Sequence, residues 1–123
     1  MFRNNDVTSS FSVDDVATAK AFYGGTLGFE VTENEMGFLD IHLASGAKVL
    51  AYAKEDHQPA SFTILNIKVP DIDKAVDELA VAGVQMKRYE GFNQNEKGIS
   101  RNFGAIAWFS DPAGNVIALL GPA

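Results

Sequence analysis

The sequence has no cysteine among its 123 residues, which excludes disulfides, thiolate nucleophiles and Cys-rich zinc sites. Positive charge is scarce, since 10 Lys and Arg residues stand against 16 Asp and Glu residues, for a formal net charge of -6. A chain of that charge repels a phosphate backbone, so we expect no nucleic-acid partner. No stretch approaches the ~20 apolar residues of a membrane span, and residues 1–10 lack the apolar run of a signal peptide. These absences predict a soluble, cytoplasmic protein with no membrane partner.

The content of hydrophobic residues, 46%, is enough for a sizeable core, and the length favours one compact domain. In the first half, a strand pattern in "TSSFSV" leads to an aspartate pair that suits a helix N-cap. The apolar spacing that follows predicts a helix over residues 15 to 25. Strands are then expected near residues 27 to 33 and, as two strands around a turn, within residues 36 to 54.

The second half repeats this order after a polar linker. Asp71 suits an N-cap for a helix over residues 71 to 82, and Gly83 ends the pattern. Further strands are predicted near residues 84 to 90, 103 to 109 and 116 to 120, the last two joined by a Pro/Gly turn. We therefore predict a single α+β domain over residues 1–123, built of two β-α-β-β-β modules: module one at about residues 7–54, a linker at 55–60 and module two at about residues 61–121.

Two motifs carry a resemblance to a known family. "VDDVATAKAFYGGTLGF" in the first half and "FSDPAGNVIALL" in the second resemble the vicinal oxygen chelate superfamily, which includes glyoxalase I, extradiol dioxygenases, fosfomycin-resistance enzymes and bleomycin-resistance proteins. The resemblance covers nearly the whole chain. It implies that the paired modules form a curled mixed sheet around a ligand-binding cleft, and that the protein is a homodimer.

The metal ligands of this superfamily have no counterpart in the sequence. The resemblance carries them over to Thr8 and Ile64 in the first strands, and to Leu50 (or Ala51) and Ala118 in the last strands. A divalent ion needs imidazole nitrogen or carboxylate oxygen, and an aliphatic side chain offers no lone pair. We therefore expect no metal and no cofactor.

Polar residues on the predicted strands supply a different candidate site. Alternation in "GFLDIHLA" places Asp40 and His42 on one strand face, opposite the apolar positions. A carboxylate there can orient the imidazole for acid–base chemistry, or the two can simply form a solvated face, and the sequence leaves both open. His57, in the polar linker, is interpreted as an ordinary surface imidazole. The predicted ligand-binding residues of the cleft are Ser10, Ser12, Asp40, His42, Tyr52, Asn66, Arg101 and Trp108.

Tyr52 and Arg101 are included for their side-chain chemistry, and Trp108 for its position on a strand. Tyr52 can stack on a planar ligand, and Arg101, in an unpatterned loop over residues 89 to 104, can bind a carboxylate or phosphate. Trp108 and Phe109 point to opposite faces of one strand, so one is expected in the core and the other near the cleft. The sequence does not decide which.

The function expected from these observations is metal-free binding of a small molecule. The alternative is an enzyme with a non-standard active site, either a glyoxalase-like lyase or isomerase or a dioxygenase. No phosphate-binding glycine loop, nucleophile elbow or HExxH motif is present, so nothing favours a nucleotide-binding or hydrolase function.

Overall fold

The structure is a computed structural model that describes residues 1–102 and 104–122. The chain divides into two compact units, residues 1–59 and residues 60–123, and each is described by itself. Both units place one helix against one small sheet, so the predicted α+β class is confirmed. None of the helices in the described ranges is long and apolar enough to cross a membrane.

The first unit has the predicted order of elements. Its elements are β1 (Ser9–Val13), α1 (Val16–Lys20), a π-helical segment (Ala21–Thr26), β2 (Glu30–Glu33), β3 (Leu39–His42) and β4 (Lys48–Ala53). The strands form a sheet of order β1-β4-β3-β2, in which β1 runs parallel to β4 and the other neighbours are antiparallel. The parallel pair is possible because a helix connects β1 to the rest of the unit.

Asp15 starts the helix of the first unit. Its carboxylate accepts hydrogen bonds from the hydroxyl and the backbone N–H of Thr18, and these hold the pKa of Asp15 below its usual value. The helix and its π-helical continuation bury Ala19, Phe22 and Tyr23. These side chains form the core of the unit together with the apolar side chains of the sheet, which include Phe11, Val13, Leu39, Ile41 and Ala51.

The second unit contains β5 (Thr63–Lys68), α2 (Ile72–Val81), β6 (Ala105–Ser110) and β7 (Val116–Gly121). The sheet has the order β5-β7-β6, with β5 parallel and β6 antiparallel to β7. Asp71 caps α2 by accepting from the backbone N–H of Lys74 at 3.1 Å, and the helix buries the predicted apolar stripe. The predicted helix and final hairpin are thus confirmed to within two residues, except that residue 103 lies outside the described residues.

The strand predicted at residues 84 to 90 is wrong. Only a single bridge, between Met86 and Phe109, joins this segment to β6. The amide side chain of Gln94 is the physical reason, because its Oε1 accepts from the backbone N–H of Tyr89 at 2.7 Å and its Nε2 donates to the carbonyl of Lys87 at 2.8 Å. Backbone groups that a strand would offer to a neighbour are therefore bound by a side chain of the following loop.

The hairpin between β6 and β7 is fixed by two buried polar residues. Asn115 donates its backbone N–H to Asp111 Oδ1 at 2.8 Å and its side-chain amide to Asp111 Oδ2 at 3.1 Å. Asn115 Oδ1 also accepts from the backbone N–H of Ala60 at 3.0 Å. The predicted turn therefore serves as a hydrogen-bonded anchor for the start of the second unit.

Two adjacent glycines of the π-helical segment give a matched test of packing in the first unit. A Cβ atom at Gly24 would lie 2.8 Å from Cγ2 of Val31, whereas a Cβ at Gly25 would meet nothing within 4 Å. Because the valine side chain has little rotamer freedom, Gly24→Ala should lower the free energy of unfolding by about 1–3 kcal/mol. Gly25→Ala should be neutral or slightly stabilising. Denaturant unfolding of both variants measures this, and equal stabilities would contradict the packing described here.

Candidate functional site

The first unit carries polar side chains on the sheet face opposite its apolar core. The strand register places Ser10, Leu50, Asp40 and Thr32 in one row across the sheet, and Ser12 beside Tyr52 in the next. Successive side chains of a strand alternate between faces, so Leu39 and Ile41, which are fully buried, belong to the other side. The predicted separation of Asp40 and His42 from the apolar positions is confirmed.

Asp40 and His42 are each held by a partner outside β3. Asp40 is only 7% exposed, and its carboxylate accepts from Asn34 Nδ2 at 3.2 Å and lies 3.5 Å from the ammonium of Lys48. His42 Nε2 lies 2.8 Å from the hydroxyl of Thr32 on β2. These contacts form a braced polar patch, and a catalytic use of the pair stays a prediction.

Ser12 and His57 form a contact that the sequence did not indicate. The Ser12 hydroxyl lies 2.7 Å from Nδ1 of His57, and both side chains are half-buried. A turn returns the chain after β4, closed by a hydrogen bond from the His57 N–H to the carbonyl of Lys54 at 3.0 Å. The interpretation of His57 as an ordinary surface imidazole is therefore wrong.

Two further predicted residues of this unit lie on the same face. Tyr52 is half-buried and packs against Phe38, with ring centroids 5.9 Å apart. Ser10 is exposed at the outer strand of the sheet. The first unit thus brings five of the predicted residues onto one surface, namely Ser10, Ser12, Asp40, His42 and Tyr52.

In the second unit, Trp108 occupies the sheet face that does not carry the helix-packing residues. It is 8% exposed and is the cross-strand partner of Ala118, which in turn is paired with the exposed Asn66. Trp108 clusters with Val116 and Ala118, whereas Phe109 is fully buried on the other face of β6. Phe109 is therefore the core residue of the pair that the sequence left open.

Tyr89 and Phe92 complete an aromatic cluster around Trp108. Both rings lie with their centroids 5.1 Å from that of Trp108, at interplanar angles of 85° and 68° respectively. Such edge-to-face contacts are favourable because the positive ring edge meets the negative ring face. Burial raises the pKa of the Tyr89 phenol, so this group stays neutral at physiological pH.

Beside this cluster lies a cavity of about 160 Å³, which we call the aromatic pocket. None of the described side chains that line it is ionisable at neutral pH, and three of them, Ser61, Thr63 and Tyr89, carry hydroxyl groups. The surface can therefore take a flat apolar ligand with a few polar edges. The lining residues are Ser61, Phe62, Thr63, Tyr89, Phe92, Trp108 and Val116.

Only one residue of the aromatic pocket, Trp108, was among the predicted site residues. Tyr89 and Phe92 lie in the segment without periodicity, where no pattern specifies which way a ring points. The only indication in the sequence that these two residues belong to a site was the prediction that this long loop binds a ligand. Arg101, the predicted anion anchor of that loop, instead donates from Nη2 to the carboxylate of Asp73 on α2 at 2.8 Å. A role of Arg101 in ligand binding stays a prediction and requires this ion pair to open.

A second and larger cavity, about 540 Å³, lies between α2 and residues 83–88. Three of its charged residues already have partners: Lys97 is paired with Asp77, and Arg88 donates to the carbonyls of Asn95 and Glu96. The aromatic pocket offers the more specific surface in spite of its smaller volume, because several aromatic rings line one space.

The positions that correspond to the superfamily metal ligands do not fit a metal ion. Thr8 is exposed ahead of β1, Leu50 and Ile64 are aliphatic, and Ala51 and Ala118 are completely buried. In residues 1–102 and 104–122, no three His, Asp or Glu side chains are grouped so as to hold an ion. Ala118 packs against Trp108, so the position that the resemblance assigns to a metal ligand carries a methyl group without a lone pair.

Comparison with known proteins agrees with the fold and the motifs. The sequence model of the Glyoxalase/Bleomycin resistance protein/Dioxygenase superfamily matches residues 7–119. TnmS3, an antibiotic binding protein from Streptomyces sp. CB03234, is 26% identical and has a TM-score of 0.73 over 100% of this chain and 99% of that chain. A glyoxalase/bleomycin resistance protein from the same strain is 27% identical, with a TM-score of 0.65 over 92% of this chain and 96% of that chain.

A more distant likeness supports the fold alone. The genomically encoded fosfomycin resistance protein FosX from Listeria monocytogenes is 15% identical, with a TM-score of 0.71 over 98% of this chain and 94% of that chain. No protein of curated function matches the sequence.

The donor set makes a prediction about metals. Added zinc, nickel or iron should leave the melting temperature unchanged, because these positions offer no ligands for an ion. An ion that did bind the folded state would raise the melting temperature in proportion to its occupancy. Thermal unfolding with and without a chelator measures this. A saturable rise of several degrees at micromolar metal would show that a site exists after all.

The packing of Ala118 makes a second prediction. Ala118→Glu should lower the free energy of unfolding by about 3 kcal/mol or more, since it places an unpaired carboxylate in a fully buried position against the indole. Asn66→Glu is the matched control, because it adds the same group at the exposed neighbouring position of the same row. If Ala118→Glu retains full stability and gains metal affinity, the position is a vacant ligand site and not a packing position.

Proposed function

The chain belongs to the Glyoxalase/Bleomycin resistance protein/Dioxygenase superfamily, and we propose that it binds a small, planar, uncharged molecule in the aromatic pocket without a metal ion. The observation that carries this proposal is the cluster of Tyr89, Phe92 and Trp108 beside a cavity whose lining residues, as far as the structure describes them, are uncharged. A flat ligand can pack against these rings, and each aromatic contact adds about 0.5–1.5 kcal/mol beyond the burial of its area.

The electrostatics of the pocket favour a neutral ligand over an ion. The overall charge of -6 attracts cations to the protein surface, but the Lys87 ammonium lies 5.7 Å from the centre of the Tyr89 ring and would repel a second cation there. A carboxylate or phosphate would lose its hydration without gaining a cationic partner among the lining residues. The hydroxyls of Ser61 and Thr63 suit a carbonyl, hydroxyl or ring nitrogen on the ligand edge.

The relatives support a binding role. TnmS3, which is similar over nearly the full length of both chains, is an antibiotic binding protein. We extend this to the present chain as a proposal: it sequesters a small molecule of natural-product type, with Trp108 in the pocket and Asn66 at the pocket-side face of the sheet. The polar face of the first unit is proposed as a further binding surface, and a cytoplasmic homodimer as the working form. The residues of that face are Ser10, Ser12, Asp40, His42 and Tyr52.

The enzymatic alternative has weaker support. A dioxygenase of this superfamily needs a metal, and the donor positions here do not fit one. A metal-independent lyase or isomerase would use His42 or Tyr52 as acid or base, yet both side chains are engaged with protein neighbours, Thr32 and Phe38. The binding function therefore accounts for more of the observed contacts.

Truncation of one ring tests this function. Phe92→Ala should weaken the binding of an uncharged planar ligand, found by screening such compounds, by about 1 kcal/mol, because an edge of the pocket is lost. Phe92 is 41% exposed, so the fold should tolerate the change, and Phe2→Ala removes an exposed ring outside the pocket as a control. Isothermal titration calorimetry gives the affinities. Equal affinities for both variants and the wild type would place the ligand elsewhere.

A further inference from the structure

Four charged side chains connect α2 to the loop segment of residues 87–102. The Arg101 guanidinium binds Asp73 Oδ2 at 2.8 Å, and the Lys97 ammonium lies 3.1 Å from Asp77 Oδ1 and 3.7 Å from Asp73 Oδ1. Asp73 and Asp77 are one helical turn apart, so both face the same part of the loop. We call these four residues the ionic latch. The hydrogen bond to Asp77 raises the pKa of Lys97, so this ammonium stays charged at neutral pH.

Hydrogen bonds inside the loop segment connect the latch to the aromatic pocket. Ser100, next to Arg101, donates its hydroxyl to the carbonyl of Phe92 at 2.6 Å, and Asn102 donates to the same carbonyl at 3.3 Å. Asn95 Oδ1 accepts from the backbone N–H groups of Lys97 and Ile99 at 2.9 and 3.0 Å. The latch residues and Phe92 are therefore parts of one cross-braced loop.

The same loop positions the second ring. The Gln94 side chain binds the backbone N–H of Tyr89 and also donates to the carbonyl of Gly98 at 2.8 Å. Gly98 is buried and follows Lys97 directly. Two of the three rings of the aromatic pocket thus belong to the segment that the latch ties to α2, whereas Trp108 is fixed by the sheet.

We propose that the ionic latch of Asp73, Asp77, Lys97 and Arg101 positions Tyr89 and Phe92 against Trp108, so that ligand binding in an uncharged pocket weakens as salt increases. The effect of the latch on affinity rests on the proposed function. The effect of the latch on the positions of the two rings can be measured without a ligand. The latch side chains are 35–62% exposed, and ion pairs that are this accessible to solvent are screened by salt. Burial of apolar surface alone gives no such loss, because added salt does not weaken it.

The only tryptophan of the chain, Trp108, reports on the latch without a ligand. Quenching of its fluorescence by acrylamide, an uncharged quencher, should increase in the double variant Lys97→Gln/Arg101→Gln and in wild type at about 1 M NaCl, where the screening length is ~3 Å. The conservative double variant Lys97→Arg/Arg101→Lys should restore the quenching of the wild type. Lys74→Gln is the matched control, because it removes one positive charge from an exposed position of α2 outside the latch.

Affinity is measured in parallel with 2-naphthol as an uncharged planar probe. Loss of the latch in Lys97→Gln/Arg101→Gln should weaken 2-naphthol binding by about three- to ten-fold, the scale expected when three solvent-accessible ion pairs are removed. About 1 M NaCl should weaken binding to the wild type by a similar factor and leave binding to this variant unchanged. Circular dichroism verifies that each variant is folded. If the quenching in Lys97→Gln/Arg101→Gln equals that of the wild type, the proposed role of the latch is wrong. Changed quenching without 2-naphthol binding to wild type supports the latch and instead contradicts the proposed function.

Discussion

The aromatic pocket of the second unit depends on the contact between Trp108 and Ala118. The two residues face each other across the antiparallel pair of β6 and β7, and the completely buried methyl group leaves room for the indole. A longer, acidic side chain at this position would need a cationic partner, and the neighbouring Val116 and Trp108 carry no charge. With the indole seated there, Tyr89 and Phe92 can pack edge-on against it and border a cavity free of charge. The aromatic pocket thus depends on the absence of an acid at residue 118.

The sheet faces that carry no helix differ in side-chain composition between the two units. In the first unit this face is polar, and its members are tied to one another, as Ser12 is to His57 and Asp40 is to Asn34 and Lys48. In the second unit the equivalent face is apolar and aromatic around Trp108, and the loop beside it is held by side-chain hydrogen bonds and by ion pairs to α2. A shared plan of strands and helices therefore carries a hydrogen-bonding surface on one module and a stacking surface on the other.

Local signals in the sequence were sufficient for the regular elements. The cap at Asp71 and the apolar stripe after it determined α2, and alternation along β3 separated Asp40 from Leu39. Contacts between distant residues were not predictable: alternation could not say whether Trp108 or Phe109 is in the core, and Ser12 and His57 are 45 residues apart. The strand at residues 84 to 90 was wrongly predicted because strand propensity does not include the competition of a side chain such as Gln94 for backbone groups.

We propose that the metal-free protein binds an uncharged planar molecule against Trp108, and the indole of this residue reports on that binding directly. Because the chain has one tryptophan, its indole N–H gives a single, assignable resonance in a proton–nitrogen correlation spectrum. The spectrum should be followed while a planar uncharged ligand is added to protein kept in excess chelator. We expect the indole resonance to shift saturably together with the backbone resonances of Tyr89 and Phe92. A saturable shift confined to the polar face around His42 and Ser12, or one that appears only after metal is added, would contradict it.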